Sequence, residues 1–236
     1  MSVLGQAQEF ASRLETMLHS TLPGAPSIRA QLFETTGRVR ISAVDDQGSV
    51  KPARLPLCVD DVPLAYWTFY MFTDASYEGF LRVDEMRIAL FAEFEDSPIA
   101  RLEYEGKTTG PPVSHWQFHG ERGALSFLLA RAYRKGKKGS APMSLSSLHF
   151  PTGGRRFRPG VEDFIQFLIQ DCGVDHLDGW KRAIEDGREL ARRFQVRTIA
   201  RDYPVEVAQV LRDKGWSVTP PEDFDGWESI EALREY

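Results

Sequence analysis

Ser114-His115-Trp116-Gln117-Phe118-His119 places a histidine or a glutamine at every second position. In an extended chain successive side chains alternate between faces, so His115, Gln117 and His119 share one face and Trp116 and Phe118 the other. The aromatic face is expected to pack on a core, leaving the polar face toward solvent or a cleft. Residues 144–150 repeat the pattern, with Ser147 and His149 on one face and Leu148 and Phe150 on the other. Pairing of these two strands would merge their polar faces. His119 and His149 are then the leading catalytic candidates, with His115 and Gln117 as secondary ones. The following turn, residues 151–158, supplies Gly153, Gly154, Arg155, Arg156 and Arg158 at the rim.

One chemistry uses all of these parts. Two histidines serve as general base and general acid in phosphodiester cleavage, because an unperturbed imidazole titrates at about 6.5. Arginines present a planar fork of donors to a phosphate. Adjacent glycines let backbone N–H groups approach an anion, and a following helix N-terminus adds a favourable dipole. The expected activity is therefore that of a metal-independent nuclease or phosphoesterase. Each residue alone also has a structural account: a strand histidine bonded to its neighbours, a Gly-Gly turn, arginines paired with nearby acids.

A metal centre is not expected. His115 and His119 on one strand stand about 13 Å apart, too far for nitrogens that must each lie about 2 Å from one zinc. No cofactor motif is present: the chain lacks a Walker A loop, GxGxxG, GxSxG and HExxH. The stretch Gly136-Lys137-Lys138-Gly139-Ser140 lacks P-loop spacing, but Lys137 and Lys138, with Arg131, Arg134 and Lys135, form a local basic cluster able to meet phosphate oxygens.

The surrounding pattern predicts the frame. Phe10, Leu14, Met17 and Leu18 recur at helical spacing within residues 5–19, and Pro23-Gly24 ends the run. Residues 28–33 and 38–44 read as a hairpin with one wet face. Residues 51–64 hold Pro52, Pro56 and Pro63 and read as a loop or an edge strand. The aromatic run 65–72 favours a strand. Residues 80–91 are ambiguous, and 90–94 and 99–104 flank a turn at 95–98. A helix is expected at 122–135. Val161, Phe164, Ile165, Leu168, Ile169 and Cys172 make one apolar helical stripe, with Gly173 as its stop. Further helices are expected from 179 to about 201, capped by Asp178, from Pro204 through Leu211 and ending at Gly215, and at the C-terminus. The class is thus α+β: a mainly antiparallel sheet over residues ~28–150, an N-terminal helix and a helical C-terminal third. The whole reads as one domain, with 160–236 as an optional helical subdomain.

Composition agrees with a globular protein. The chain has 236 residues, 42% hydrophobic and 27% charged, with a formal net charge of −5. Bulk charge therefore gives no attraction to nucleic acid, and any phosphate binding must be local. Two cysteines, Cys58 and Cys172, read as small buried hydrophobes. No apolar run approaches the ~18 residues of a membrane span, and no signal peptide is evident, so a cytoplasmic location without membrane contact is expected. The expected partner is RNA or DNA. Two other readings remain open: a non-catalytic accessory protein binding a protein or nucleic acid, and an intracellular ligand-binding domain with residues 66–72 lining an apolar pocket.

Overall fold

A computed structural model describes residues 2–45, 47–74, 79–108, 111–120, 150–152 and 158–234. The chain opens with helix α1 (Val3–His19), where the Ser2 hydroxyl accepts a hydrogen bond from Gly5 N–H at 3.1 Å. That bond satisfies one of the N–H groups that a helix start leaves unpaired. Ala7, Ala11, Leu14, Met17 and Leu18 are its buried stripe.

The sheet follows as β1 (Ile28–Phe33), β2 (Arg38–Ala43), β3 (Leu55–Val59), β4 (Val62–Asp74), β5 (Arg82–Ala92), β6 (Pro98–Glu105), β7 (Ser114–Phe118) and β8 (Phe150–Pro151). Every paired neighbour is antiparallel. The spatial order is β1-β2-β4-β5-β6-β7-β8, with β3 laid beside the first half of β4. Pro56 sits in β3, which pairs on one side only, as the missing N–H of proline demands.

One face of this sheet carries Ile28, Val39, Ile41, Leu57, Trp67, Phe69, Ile88 and Leu102, all buried in a single core with the α1 stripe. Helix α2 (Val161–Gln170) closes the same core through Phe164, which meets Trp67 at 6.3 Å and stacks on Trp116 at 5.6 Å between ring centroids. Helices α1 and α2 thus cover one face, and the described side chains of the other face are largely polar and aromatic. Helix α3 (Trp180–Asp202) joins the core only through Trp180 and Ile184. Helices α4 (Pro204–Asp213) and α5 (Ile230–Arg234) bury no residue. Among the described residues no helix is long and apolar enough to cross a membrane.

Several local expectations are corrected. Gly179, at φ +83°, is the N-cap of α3, and Asp178 lies before it; the chain turns there through a left-handed conformation that a glycine adopts without steric cost. Cys172 is exposed and Cys58 only half-buried. Helix α2 ends at Gln170, so Cys172 falls off the apolar stripe despite its helical spacing. The ambiguous segment 80–91 belongs to β5. The expected helix at 122–135, the basic loop with Lys137 and Lys138, and residues 144–149 lie outside the described residues.

Candidate functional site

Strand register assembles a polar row across four strands. Tyr70 in β4 pairs with Arg87 in β5, Arg87 with Glu103 in β6, and Glu103 with His115 in β7. The adjacent row pairs Ala89, Arg101 and Gln117. All of these side chains share the face opposite the one that α1 and α2 cover, because residues opposite one another in a ladder point the same way.

Alternation in β7 holds: Trp116 stacks on the α2 aromatics, while His115 and Gln117 lie on the polar face. Their burial departs from the expectation of an exposed polar face. His115 is 2% exposed and Gln117 5%, whereas Trp116 and Phe118 are half-buried. Hydrogen bonds from His115 Nδ1 and to the Gln117 amide oxygen offset part of the cost of burial. His115 Nδ1 donates to the Pro112 carbonyl at 2.8 Å, and its Nε2 faces a Glu103 carboxylate oxygen at 3.3 Å. The Gln117 amide oxygen accepts from the Arg101 guanidinium.

Glu103 is the hub. Its carboxylate lies 2.5 Å from Arg87 Nε and 3.7 Å from Arg101 Nη1. Burial works to raise its pKa, but the hydrogen bond from His115 and the charges of Arg87 and Arg101 outweigh it and hold the carboxyl at about 2. Tyr70 is pushed the other way, up to about 12, by burial and by donating its hydroxyl to Glu85 at 2.8 Å.

His119 stands at the end of β7, half-buried, with its backbone N–H on the Ile99 carbonyl at 2.9 Å. Burial and the neighbouring Arg101 charge lower its pKa below 6.5, against an opposing pull from Glu103. The neutral imidazole is therefore the dominant form at pH 7. Its Nε2 is shielded and has no hydrogen-bond partner among the described residues, and the same is true of Arg101 Nε. A histidine and a guanidinium, each with one shielded nitrogen unbonded among the described residues, thus lie near each other.

Arg158 takes a different position. Its guanidinium covers the Tyr104 ring at 3.9 Å, and Tyr104 is a core residue on the helix-covered face. Tyr104 pairs with Ser114, and Ser114 is bonded to Thr152 through both its carbonyl and its hydroxyl. Five residues separate Ser114 from His119, about 16 Å of extended chain. Arg158 and His119 are therefore at opposite ends of β7 and on opposite faces of the sheet. β7 does pair with β8, with Trp116 opposite Phe150. His149, Gly153, Gly154, Arg155 and Arg156 lie outside the described residues.

Farther along the polar face, arginines interleave with aromatics. Arg38 lies 4.3 Å from the Phe72 ring centroid, and Arg40 lies over both Phe33 and Phe72 at 4.8 and 5.0 Å. Neither this cluster nor the Arg87–Glu103–Arg101 hub was anticipated as a site. Alternation along β2 and β6 signals which residues face away from the core, but not which strands meet. Among the described residues no group of three His, Cys, Asp or Glu side chains is arranged to hold a metal ion. No protein-family model, curated protein or solved structure matches the chain.

Proposed function

We propose that the chain acts on a phosphate ester of nucleic acid at the polar face of its sheet, with His119 as the proton acceptor and Arg101 as the anion-binding group. The observation that carries this reading is the pairing of a neutral histidine, its Nε2 unbonded among the described residues, with a guanidinium whose Nε is also unbonded. A phosphoryl oxygen on Arg101 would be met by a charge-assisted hydrogen bond. His119 would take the proton from the attacking hydroxyl, and a second acid would protonate the leaving oxygen. In this reading that acid is His149, one residue before the paired Phe150 in the sequence. His115 and Glu103 act as positioning residues that fix Arg101 and Arg87.

The arginine and aromatic cluster of Arg38, Arg40, Phe33 and Phe72 supports nucleic acid over a small phosphate ester, because single strands are bound by combining cations with stacking surfaces. The test is incubation of the full chain with RNA and DNA oligonucleotides in EDTA across a pH series. Cleavage that survives the chelator and is lost in His119→Ala is expected. Substrates left intact by the wild-type chain would retire the enzymatic reading and leave the face as a binding surface only.

A further inference from the structure

The C-terminal part of the chain displays apolar side chains that nothing in the described structure covers. Phe194, Val196, Val210, Trp216, Trp227 and Leu233 are all at least 40% exposed, the two tryptophans 66% and 59%. Exposed apolar side chains that come together into one patch mark association sites. Two parts of this region are complementary in charge.

The first is an open groove of about 690 Å³ along α3, where Arg188, Arg192, Arg193 and Arg197 surround Val196. Glu185 and Glu189 also line it, and Glu189 is engaged by Arg193. Arg188 is committed to Asp163 at 2.9 Å. No ion pair reaches Arg192 or Arg197 among the described residues; Arg197 only lies near the Phe194 ring, 5.8 Å from its centroid. The second is the segment after α4. Residues 219–227 are all exposed and include Glu222, Asp223, Phe224, Asp225 and Trp227. Among the described residues its acids form no ion pair with α3 of the same chain.

The fold explains why they do not meet within one molecule. The Arg212 guanidinium donates to the Val218 carbonyl, which ties the segment's start to the end of α4. Glu228 accepts from the Val205 and Glu206 N–H groups, and Ser229 N–H donates to the Asp202 carbonyl, which ties its end to the start of α4. The acidic segment is thus held along α4 and displayed outward.

We propose that this region is a self-association surface, in which the acidic, tryptophan-bearing segment 219–228 of one copy docks in the basic α3 groove of a second copy. The same two patches are then used twice about a two-fold axis, which closes the assembly at a dimer. The arginines meet carboxylates, and Phe224 and Trp227 cover Val196 and Phe194.

Sedimentation velocity of the full chain over a concentration series tests this directly. The wild type is expected to approach a mass of two 26.8 kDa chains. Two double variants separate the halves of the contact: Arg192→Glu with Arg197→Glu, and Glu222→Lys with Asp223→Lys. All four positions are exposed, so each variant should melt like the wild type. Each alone should weaken association by about tenfold or more, because like charges then face each other. An equimolar mixture of the two should recover the dimer, since both contacts become complementary again. A wild type that stays monomeric, a reversal variant that still dimerises alone, or a mixture that stays monomeric would each overturn the proposal.

Discussion

At the scale of single residues, the polar face contrasts two histidines. His115 donates from Nδ1 to the Pro112 carbonyl, has the Glu103 carboxylate 3.3 Å from its Nε2 and is sealed from solvent. His119 has its Nε2 unbonded among the described residues and a lowered pKa. The proposed base must be neutral to act, so activity should hold at neutral pH and fall as pH drops through the His119 pKa, below 6.5. His119→Ala should reduce the rate by roughly 10²–10⁴-fold, the usual weight of a positioned acid or base. The neighbours set where the acid limb lies. Arg101 lowers the His119 pKa and Glu103 raises it. Glu103→Gln should therefore move the limb to lower pH, and Arg101→Gln should move it to higher pH. Cleavage rates against pH for the three proteins decide it; limbs that coincide would detach His119 from the reaction. Glu103 has a separate effect on stability. Its folded pKa of about 2 lies below its ordinary 4.5. The stability it contributes is thus complete above about 4.5 and is lost as pH falls toward 2. Acid melts of Glu103→Gln should show a shallower loss over that window than the wild type.

At the scale of elements, α2 and the β3–β4 turn carry separable predictions. Phe164 is fully buried and touches Trp67, Trp116 and Phe167. Its replacement by Ala should cost about 3–5 kcal/mol, read as a lowered thermal midpoint, since both transfer energy and a cavity are at stake. The β3–β4 hairpin turns on Asp60 and Asp61, both at positive φ, 52° and 61°. Their N–H groups donate to the two oxygens of Asp175 at 3.0 and 2.9 Å. Asp61→Gly should stabilise the chain by about 1 kcal/mol, because glycine adopts that conformation without the steric cost other residues bear. A lower midpoint in Asp61→Gly would show that the turn depends on the aspartate side chain. These elements also mark what the sequence makes legible. Alternation in β2, β6 and β7 reveals which side chains share a face, and the stripe in α2 reveals its buried side. Register is another matter. Tyr70, Arg87, Glu103 and His115 become neighbours in ladders whose register shifts at Phe72/Thr73 and Leu90/Phe91, irregularities that no local pattern announces. Arg158 escapes for the same reason: its position in the predicted turn after residues 144–150 says nothing about the face that Tyr104 offers it.

At the scale of the whole molecule, the net charge of −5 bears on the anionic substrate proposed above. Helices α1 and α2 and the start of α3 close one side of the sheet, so the arginines of β2, β5 and β6 are concentrated on the other. Arg38, Arg40, Arg87 and Arg101 stand there among Glu85, Glu103 and Glu105, with Asp74 opposite Arg38 in the ladder, so the charges on this face nearly balance. Exposure falls from the open Arg87 on β5 to the buried His115 and Gln117 on β7, while Arg40 on β2 is half-buried. A strand of nucleic acid would therefore lie over β2, β4 and β5 and present one phosphate toward Arg101 and His119. Binding that depends on a local patch in an acidic protein should be salt-sensitive, because each neutralised phosphate releases condensed counterions. The dissociation constant for a single-stranded oligonucleotide should rise steeply with salt. Arg38→Ala with Arg40→Ala should weaken binding and lower the slope of log affinity against log salt by about 1.4, that is about 0.7 for each single-strand phosphate left without its arginine. The same pair should leave the pH limb set by His119 in place, because neither arginine figures among the charges that shift its pKa. Fluorescence anisotropy at several salt concentrations, read beside the cleavage profile, separates the two roles. An unchanged salt slope in the double variant would move the nucleic-acid path off β2, and a displaced pH limb would mean that the two ends of the face are coupled.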